Sequence, residues 1–299
     1  MARLGIVDFD TSHAPEFTKR LNHLKIAQEQ WVEGATVVAG CPGTSEIDPG
    51  RIPGYTEEMR GLGVEIVEKP EDLLGKVDGV LIESQGGAAH LAHAKLFLEK
   101  GLPCYIDKPF TCSFKDAREI VALAERKKVP IFSSSSLRYA PEVQGVLAKR
   151  DEVGAIVGAE AHSPAGLHPK NPGFFHYGIH VVETLYTLMG PGCKEVWCVS
   201  TEGADTITGR WGDGRVGSVR GTRKGAHHYG FTAYGEKKVV ASGIDAGVIY
   251  RELLKRVVEM FTTGKAPLDP AVTVEIVAFI EAGIRSRENH GGMMEVRSA

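Results

Sequence analysis

Six short apolar runs alternate with helical patterns over the first 132 residues, and this alternation constrains the fold more than any other feature of the chain. The runs are Leu4–Val7, Thr36–Ala39, Val64–Val67, Val77–Ile82, Cys104–Ile106 and Val129–Phe132. The helical patterns put Phe17, Leu21 and Leu24 on one face, then Leu91, Ala94 and Leu98, then Ala117, Ile120, Val121 and Ala124. Pro15 fits a helix only in its first turn, so the first helix should begin between Ser12 and Pro15. Strands alternating with helices of this length imply βαβ units and a parallel sheet. Residues 1–132 are therefore expected to form an α/β, Rossmann-like domain.

The pattern then changes. A strand over Ala155–Ala161 and a helix over Phe174–Met189 lead to closely spaced strand signals at Val196–Thr201, Arg215–Arg220, Tyr229–Tyr234 and Lys237–Ala241. Gly-Asp-Gly and Gly-Glu turns separate them, which implies an open, mainly antiparallel sheet. Two helices, Ile249–Phe261 and Ala271–Arg287, close the chain. Residues 133–299 are expected to form an α+β domain for substrate binding and oligomerisation, its last helix able to pack back on the first domain. A sheet covered on one side leaves its other face to a partner, here drawn from Val196, Trp197, Val199, Phe231 and Ala233, so a homodimer or homotetramer is expected.

A net charge of −3 and the lack of any Lys/Arg-rich run give no reason to expect nucleic acid or an anionic membrane. No apolar stretch approaches the length of a bilayer span, and Met1-Ala2-Arg3 leads straight into a strand without a secretory pattern. The five cysteines are odd in number and form no CxxC pair, so neither a disulfide framework nor a zinc ribbon is indicated, and a cytoplasmic location is expected.

Two stretches carry candidate chemistry. The strand Cys104–Ile106 stops at Asp107-Lys108-Pro109, because proline cannot donate to a sheet ladder, and Lys108-Pro109 suits a cis turn. Ligands bind at the carboxyl ends of such strands, where Lys108 would stand. On the helix expected over Phe174–Met189, His176, His180 and Glu183 are spaced to share one face. His180 could equally be a hydrogen-bonded core histidine, and the three residues together could hold a metal ion, although no metal is assigned.

With these segments in order, the chain resembles the glucose–fructose oxidoreductase/inositol dehydrogenase (Gfo/Idh/MocA) family over nearly its whole length. Asp107-Lys108-Pro109 matches that family's Glu/Asp-Lys-Pro strand end, and Leu137-Arg138-Tyr139-Ala140-Pro141 its Arg-Phe/Tyr segment. His176-Tyr177-Gly178-Ile179-His180 matches its Asp-x-x-x-His segment, with histidine in place of the aspartate, and Phe279–Ser286 its last helix. The resemblance implies an NAD(P)-dependent oxidoreductase of a sugar, cyclitol or related polyhydroxylated molecule, with Lys108, His180 and His176 at the catalytic centre. Arg138, Tyr139, His162, His168 and Tyr177 would contact substrate. NAD or NADP would lie against Phe9, Asp10, Thr11, Ser12, His13, Cys41, Ser84, Gln85, Asp107, Lys108 and Pro109.

The turn after the first strand departs from the family. Asp8-Phe9-Asp10-Thr11-Ser12-His13 holds none of the three glycines that let backbone approach a pyrophosphate, and its two acids oppose phosphate at a helix N-terminus. Cys41-Pro42-Gly43 stands where an acid would bond the ribose. Asp10, Thr11 and Ser12 could instead simply cap the helix. A non-redox binding protein with a decayed cofactor site, or a metal-dependent lyase or hydrolase using the histidines, are the alternatives.

Overall fold

The computed structural model describes residues Met1–Ser298. Its strands are β1 (Ala2–Val7), β2 (Ala35–Cys41), β3 (Glu65–Ile66), β4 (Gly79–Ile82), β5 (Cys104–Ile106), β6 (Ile131–Phe132), β7 (Ile156–Pro164), β8 (Cys193–Ser200), β9 (Ala204–Trp211), β10 (Val216–Thr222), β11 (Gly230–Gly235), β12 (Val239–Gly243) and β13 (Met294–Glu295). Its helices are α1 (His13–Asn22), α2 (Ile52–Gly61), α3 (His90–Glu99), α4 (Phe114–Lys127), α5 (Pro141–Ala148), α6 (Arg150–Val153), α7 (Ile179–Met189), α8 (Ile249–Thr263) and α9 (Pro270–Glu288). Among the described residues no helix is long and apolar enough to cross a membrane.

The chain divides into two compact units. The first comprises Met1–Thr111, Lys115–Ser134 and Tyr250–Pro270. Its sheet has the order β3-β2-β1-β4-β5-β6 with every pairing parallel, the doubly wound Rossmann order. Leu4, Ile6, Val80, Leu81 and Ile82 are all buried, as strands covered on both faces require. The second domain does not run uninterrupted from 133 to 299, because α8 returns to the first unit. A Cβ on Gly79 of β4 would lie 2.2 Å from the Phe261 ring, and one on Gly34 would lie 2.8 Å from Val258, so two glycines make room for this helix. The last helix, α9, belongs instead to the second unit. Leu24 lies past the end of α1 and is exposed, because His23 adopts a left-handed conformation (φ 58°) that closes the helix.

The second unit comprises Cys112–Phe114, Ser135–Ile249 and the described residues from Ala271 onward. Its seven-stranded sheet has the order β12-β11-β7-β10-β9-β8-β13, antiparallel except for the β7–β10 pair. Helices α7 and α9 cover one face. Glycines admit them: Cβ atoms on Gly217 and Gly209 would lie 2.9 Å from Leu185 and 3.0 Å from Phe279. Val196, Phe231 and Ala233 are buried and belong to the covered side, which removes them from the expected partner face. Trp197, Val199 and Val216 are 37%, 70% and 51% exposed on the other side, so alternation along the strands splits the expected set. Strand β9 has no clear sequence signal because threonines and Gly209 dilute its apolar alternation.

Candidate functional site

In the first unit, adjacent strands β1, β4 and β5 end side by side, and the residues just past their carboxyl ends converge on one place. His13 opens α1, Glu83 comes directly after β4, and Asp107 and Lys108 come directly after β5. His13 Nδ1 lies 2.9 Å from Asp107 Oδ2 and 3.5 Å from Glu83 Oε2, and Lys108 Nζ lies 3.3 Å from the same Asp107 oxygen. Phe17 stacks on the imidazole at 4.7 Å, and Tyr250 meets it edge-on at 4.9 Å. All four polar side chains are largely or fully out of water.

Their protonation results from that burial and from each other's charge. Burial opposes a charged His13, but the Asp107 and Glu83 carboxyls outweigh it and lift the imidazole to about 10. Burial and the Asp107 charge push Glu83 up to about 7 against the pull of His13. Burial would also raise Asp107, yet His13 and Lys108 hold it well below the usual carboxylate range. For Lys108, burial favours the neutral amine, and Asp107 and Tyr250 reverse this and raise it. The Lys108–Pro109 peptide is cis, as the strand end suggested. His90, the first residue of α3, ties this region together, with Nδ1 3.0 Å from the Phe110 carbonyl and Nε2 2.9 Å from that of Ser84.

The turn after β1 does not reproduce a glycine cradle for pyrophosphate. Asp8 sits at φ 66°, and a Cβ on Gly43 would lie 1.7 Å from its Oδ1, so the carboxylate fills the space beside the β2 end. Asp8 accepts from the Ser84 hydroxyl and pairs with His93 Nε2 at 3.1 Å. Asp10 Oδ1 accepts from the Gln85 amide at 2.9 Å, and burial raises its pKa. Asp10 therefore does not cap α1, and Ser12 makes no side-chain cap bond; Thr11 Oγ1 accepts from the His13 amide at 3.4 Å. Phe9 is a core residue, its ring against Gly40, and the buried Cys41 thiol reaches the Glu68 carbonyl. Of the residues assigned to cofactor, His13 and Asp107 join the buried cluster, with Lys108 beside them. Asp10, Thr11, Ser84 and Gln85 bond among themselves and their neighbours.

In the second unit the expected helix over 174–189 starts later. Gly173–Phe175 form a short 3₁₀ turn, and α7 begins at Ile179, so His176 precedes the helix and does not share a face with His180 and Glu183. Gly173 at φ 56° makes the break, and Gly178 accepts the Phe174 ring where a Cβ would stand 2.5 Å from it. His180 lies in the first turn of α7 with Nδ1 2.7 Å from Ser135 Oγ. If Nδ1 carries the proton and donates to that oxygen, Nε2 presents the lone pair of a base. Glu183, one turn on, accepts from the Ser135 amide at 3.3 Å and from Arg138 Nε at 2.7 Å. It is thus a structural partner, not a metal ligand with His176. Arg138, expected at the substrate, is buried in this ion pair.

Half-exposed rings form a series from here. His168 lies 5.4 Å from His176, which meets Tyr177 at 5.0 Å; Tyr177 lies 6.1 Å from His180, and His180 meets Tyr229 at 5.9 Å. His162 instead pairs with His228, their Nε2 atoms 3.3 Å apart. Tyr139 is half-buried on the 3₁₀ turn that begins with Ser136. No sequence signal pointed to Glu83, Ser135, Tyr229 or Tyr250, since no spacing rule ties them to the segments they meet.

Comparisons with known proteins agree with this fold. Residues 53–135 match the Gfo/Idh/MocA family model, described as an oxidoreductase family with an NAD-binding Rossmann fold. YceM of Salmonella typhimurium, a protein named only as an oxidoreductase, is 28% identical over 169 residues, which are 55% of this chain and 53% of that protein. The chain thus spans about half the length of this curated relative. Scyllo-inositol dehydrogenase from Lactobacillus casei, solved with NAD(H) and scyllo-inositol, aligns at 13% identity with a TM-score of 0.79 over 99% of each chain. Myo-inositol dehydrogenase from Lactobacillus casei, with NAD(H) and myo-inositol, aligns at 15% identity and a TM-score of 0.80, covering 100% of this chain and 98% of that one. At such identities the likeness is one of fold.

Proposed function

We propose that this chain, whose residues 53–135 carry the Gfo/Idh/MocA match, is an NAD(P)-dependent oxidoreductase acting on a cyclitol, a sugar or a related polyhydroxylated molecule. The observation that carries the reading is the matched segment itself. It runs through β4 and β5 to Asp107-Lys108-Pro109 and ends on Ser135, the partner of His180 Nδ1. Cyclitols are what the two Lactobacillus casei enzymes hold. The series of rings from His168 to Tyr229 offers several polar edges, which suits a ligand rich in hydroxyls.

The matched family is NAD-binding, and hydride chemistry is what such a cofactor contributes. The chain's own residues have to handle the oxygen and its proton. Oxidising a carbinol requires a base for the hydroxyl proton, the role of His180 Nε2. The Lys108 ammonium, kept charged by Asp107, steadies the developing alkoxide. His176 serves as a neutral hydrogen-bonding contact to substrate. A homodimer or homotetramer through Trp197, Val199 and Val216 belongs to this reading, as does a cytoplasmic location, which five free thiols support.

The filled turn after β1 favours a second reading, a binding protein of this fold without redox turnover. Titration with NAD, NADH, NADP and NADPH, and then dinucleotide reduction assays against cyclitols and sugars, separate the two. Expected is weak but saturable binding, turnover of at least one polyol, and a loss of roughly 10²–10⁴ in kcat for Lys108→Met and for His180→Asn. Absence of binding by all four dinucleotides would leave the second reading.

A further inference from the structure

Glu83 is fully buried, and neither of its carboxylate oxygens has a well-formed hydrogen bond, the closest approach being the long His13 ion pair at 3.5 Å. The same holds for His13 Nδ1 and Asp107 Oδ2, which face it. A buried carboxylate left in this state is costly unless paired or bound to a metal. The His13–Asp107 contact at 2.9 Å accounts for two of these atoms. It leaves Glu83 with only the longer contact to the same imidazole, its nearer oxygen 3.5 Å away.

From this we propose a divalent metal site in the first unit, with His13 Nδ1, one Glu83 carboxylate oxygen and one Asp107 carboxylate oxygen as ligands, the ion displacing the imidazole proton to solvent as it binds. One ligand atom from each residue lies within 4.8 Å of the others. Metal–N and metal–O bonds of about 2.0–2.2 Å put neighbouring ligand atoms roughly 3–3.6 Å apart. Of the His13 Nδ1 distances, 3.5 Å lies within that range and 2.9 Å just below it. The donors come from α1 and from the residues after β4 and β5, so the fold itself brings them together. One imidazole and two carboxylates without a thiolate suit zinc or manganese, not a soft ion. Three protein ligands leave a position open for water or another oxygen donor. Lys108 Nζ, 3.3 Å from Asp107 Oδ2, competes with a cation for that oxygen. The site shares Asp107 with Lys108 of the hydride reading but is tested without turnover.

The full chain, expressed without a histidine tag and stripped with chelator, is titrated calorimetrically with zinc chloride and with manganese chloride, with metal content checked by elemental analysis. Expected is one ion per chain for at least one metal, with a saturable rise in melting temperature. Glu83→Gln, which keeps the shape and removes the charge, and His13→Asn should each weaken binding tenfold or more. Lys108→Met should tighten it by removing the competing ammonium. Stoichiometry that survives Glu83→Gln and His13→Asn unchanged, or weaker binding by Lys108→Met, overturns the proposal. So does a stoichiometry abolished by His228→Ala, which would place the ion on the exposed His162–His228 pair. If a variant fails to fold by circular dichroism, the wild-type titration still decides, because absence of one-to-one binding of both metals refutes the site outright.

Discussion

Asp8 shows how one side chain can close a cofactor turn. Its backbone is left-handed at φ 66°, a conformation that favours glycine, and its carboxylate is spent on Ser84 and His93. Asp8→Gly relieves the backbone while freeing space beside Gly43. Combined with Asp10→Gly it should raise dinucleotide affinity about tenfold, or about 1.4 kcal/mol, in calorimetric titration. Unchanged affinity would refute the argument from charge and bulk. Ser135 is the corresponding positioning residue for His180. Ser135→Ala should lower kcat of the proposed oxidation about tenfold with KM little changed, and Ser135→Thr should restore most of it. A kcat insensitive to Ser135→Ala would remove the hydroxyl from the mechanism.

Elements are pinned by a few buried polar ties. The N-terminal half of α7 is fastened to residues 135–138 by Glu183, whose partner Arg138 is itself buried. Removing one member of such a pair leaves a buried charge, so Arg138→Met should cost roughly 3–5 kcal/mol in urea unfolding. Pairing it with Glu183→Gln should recover part of the loss, and strict additivity would show that the pair is not coupled. His90 similarly ties the segments after β4 and β5 to the start of α3. Burial pushes its pKa down, against the two carbonyls that would favour the charged ring. A histidine depressed in the folded state contributes stability that is present above its unfolded pKa, about 6.5, and is lost as pH falls below it. The stability difference between wild type and His90→Asn should therefore shrink from about pH 6.5 downward. A difference flat with pH would mean that burial leaves the His90 pKa unshifted, and one that grows as pH falls would mean that the ring is charged in the fold.

For the whole molecule, the open face of the second sheet matters most. Trp197, Val199 and Val216 stand out on it among threonines and arginines. Sedimentation should give a dimer or tetramer, and Trp197→Arg with Val199→Arg should yield a smaller species with an unchanged circular dichroism spectrum. A wild-type monomer at micromolar concentration would refute assembly through this face. The sequence by itself determined the Rossmann half, because buried parallel strands read as continuous apolar runs and proline stops β5 at Lys108. It likewise determined that an antiparallel sheet comes next, from turn signals at short intervals. Only the tertiary structure decided that α8 returns to the first unit, that Gly173 delays α7 past His176, and that Arg138 is taken up by Glu183. It alone brought His13, Glu83 and Asp107 together. Local spacing fixes periodicity and turns, whereas the meeting of residues 70 to 94 positions apart depends on the order of β1, β4 and β5 in the sheet, which long-range pairing and burial set.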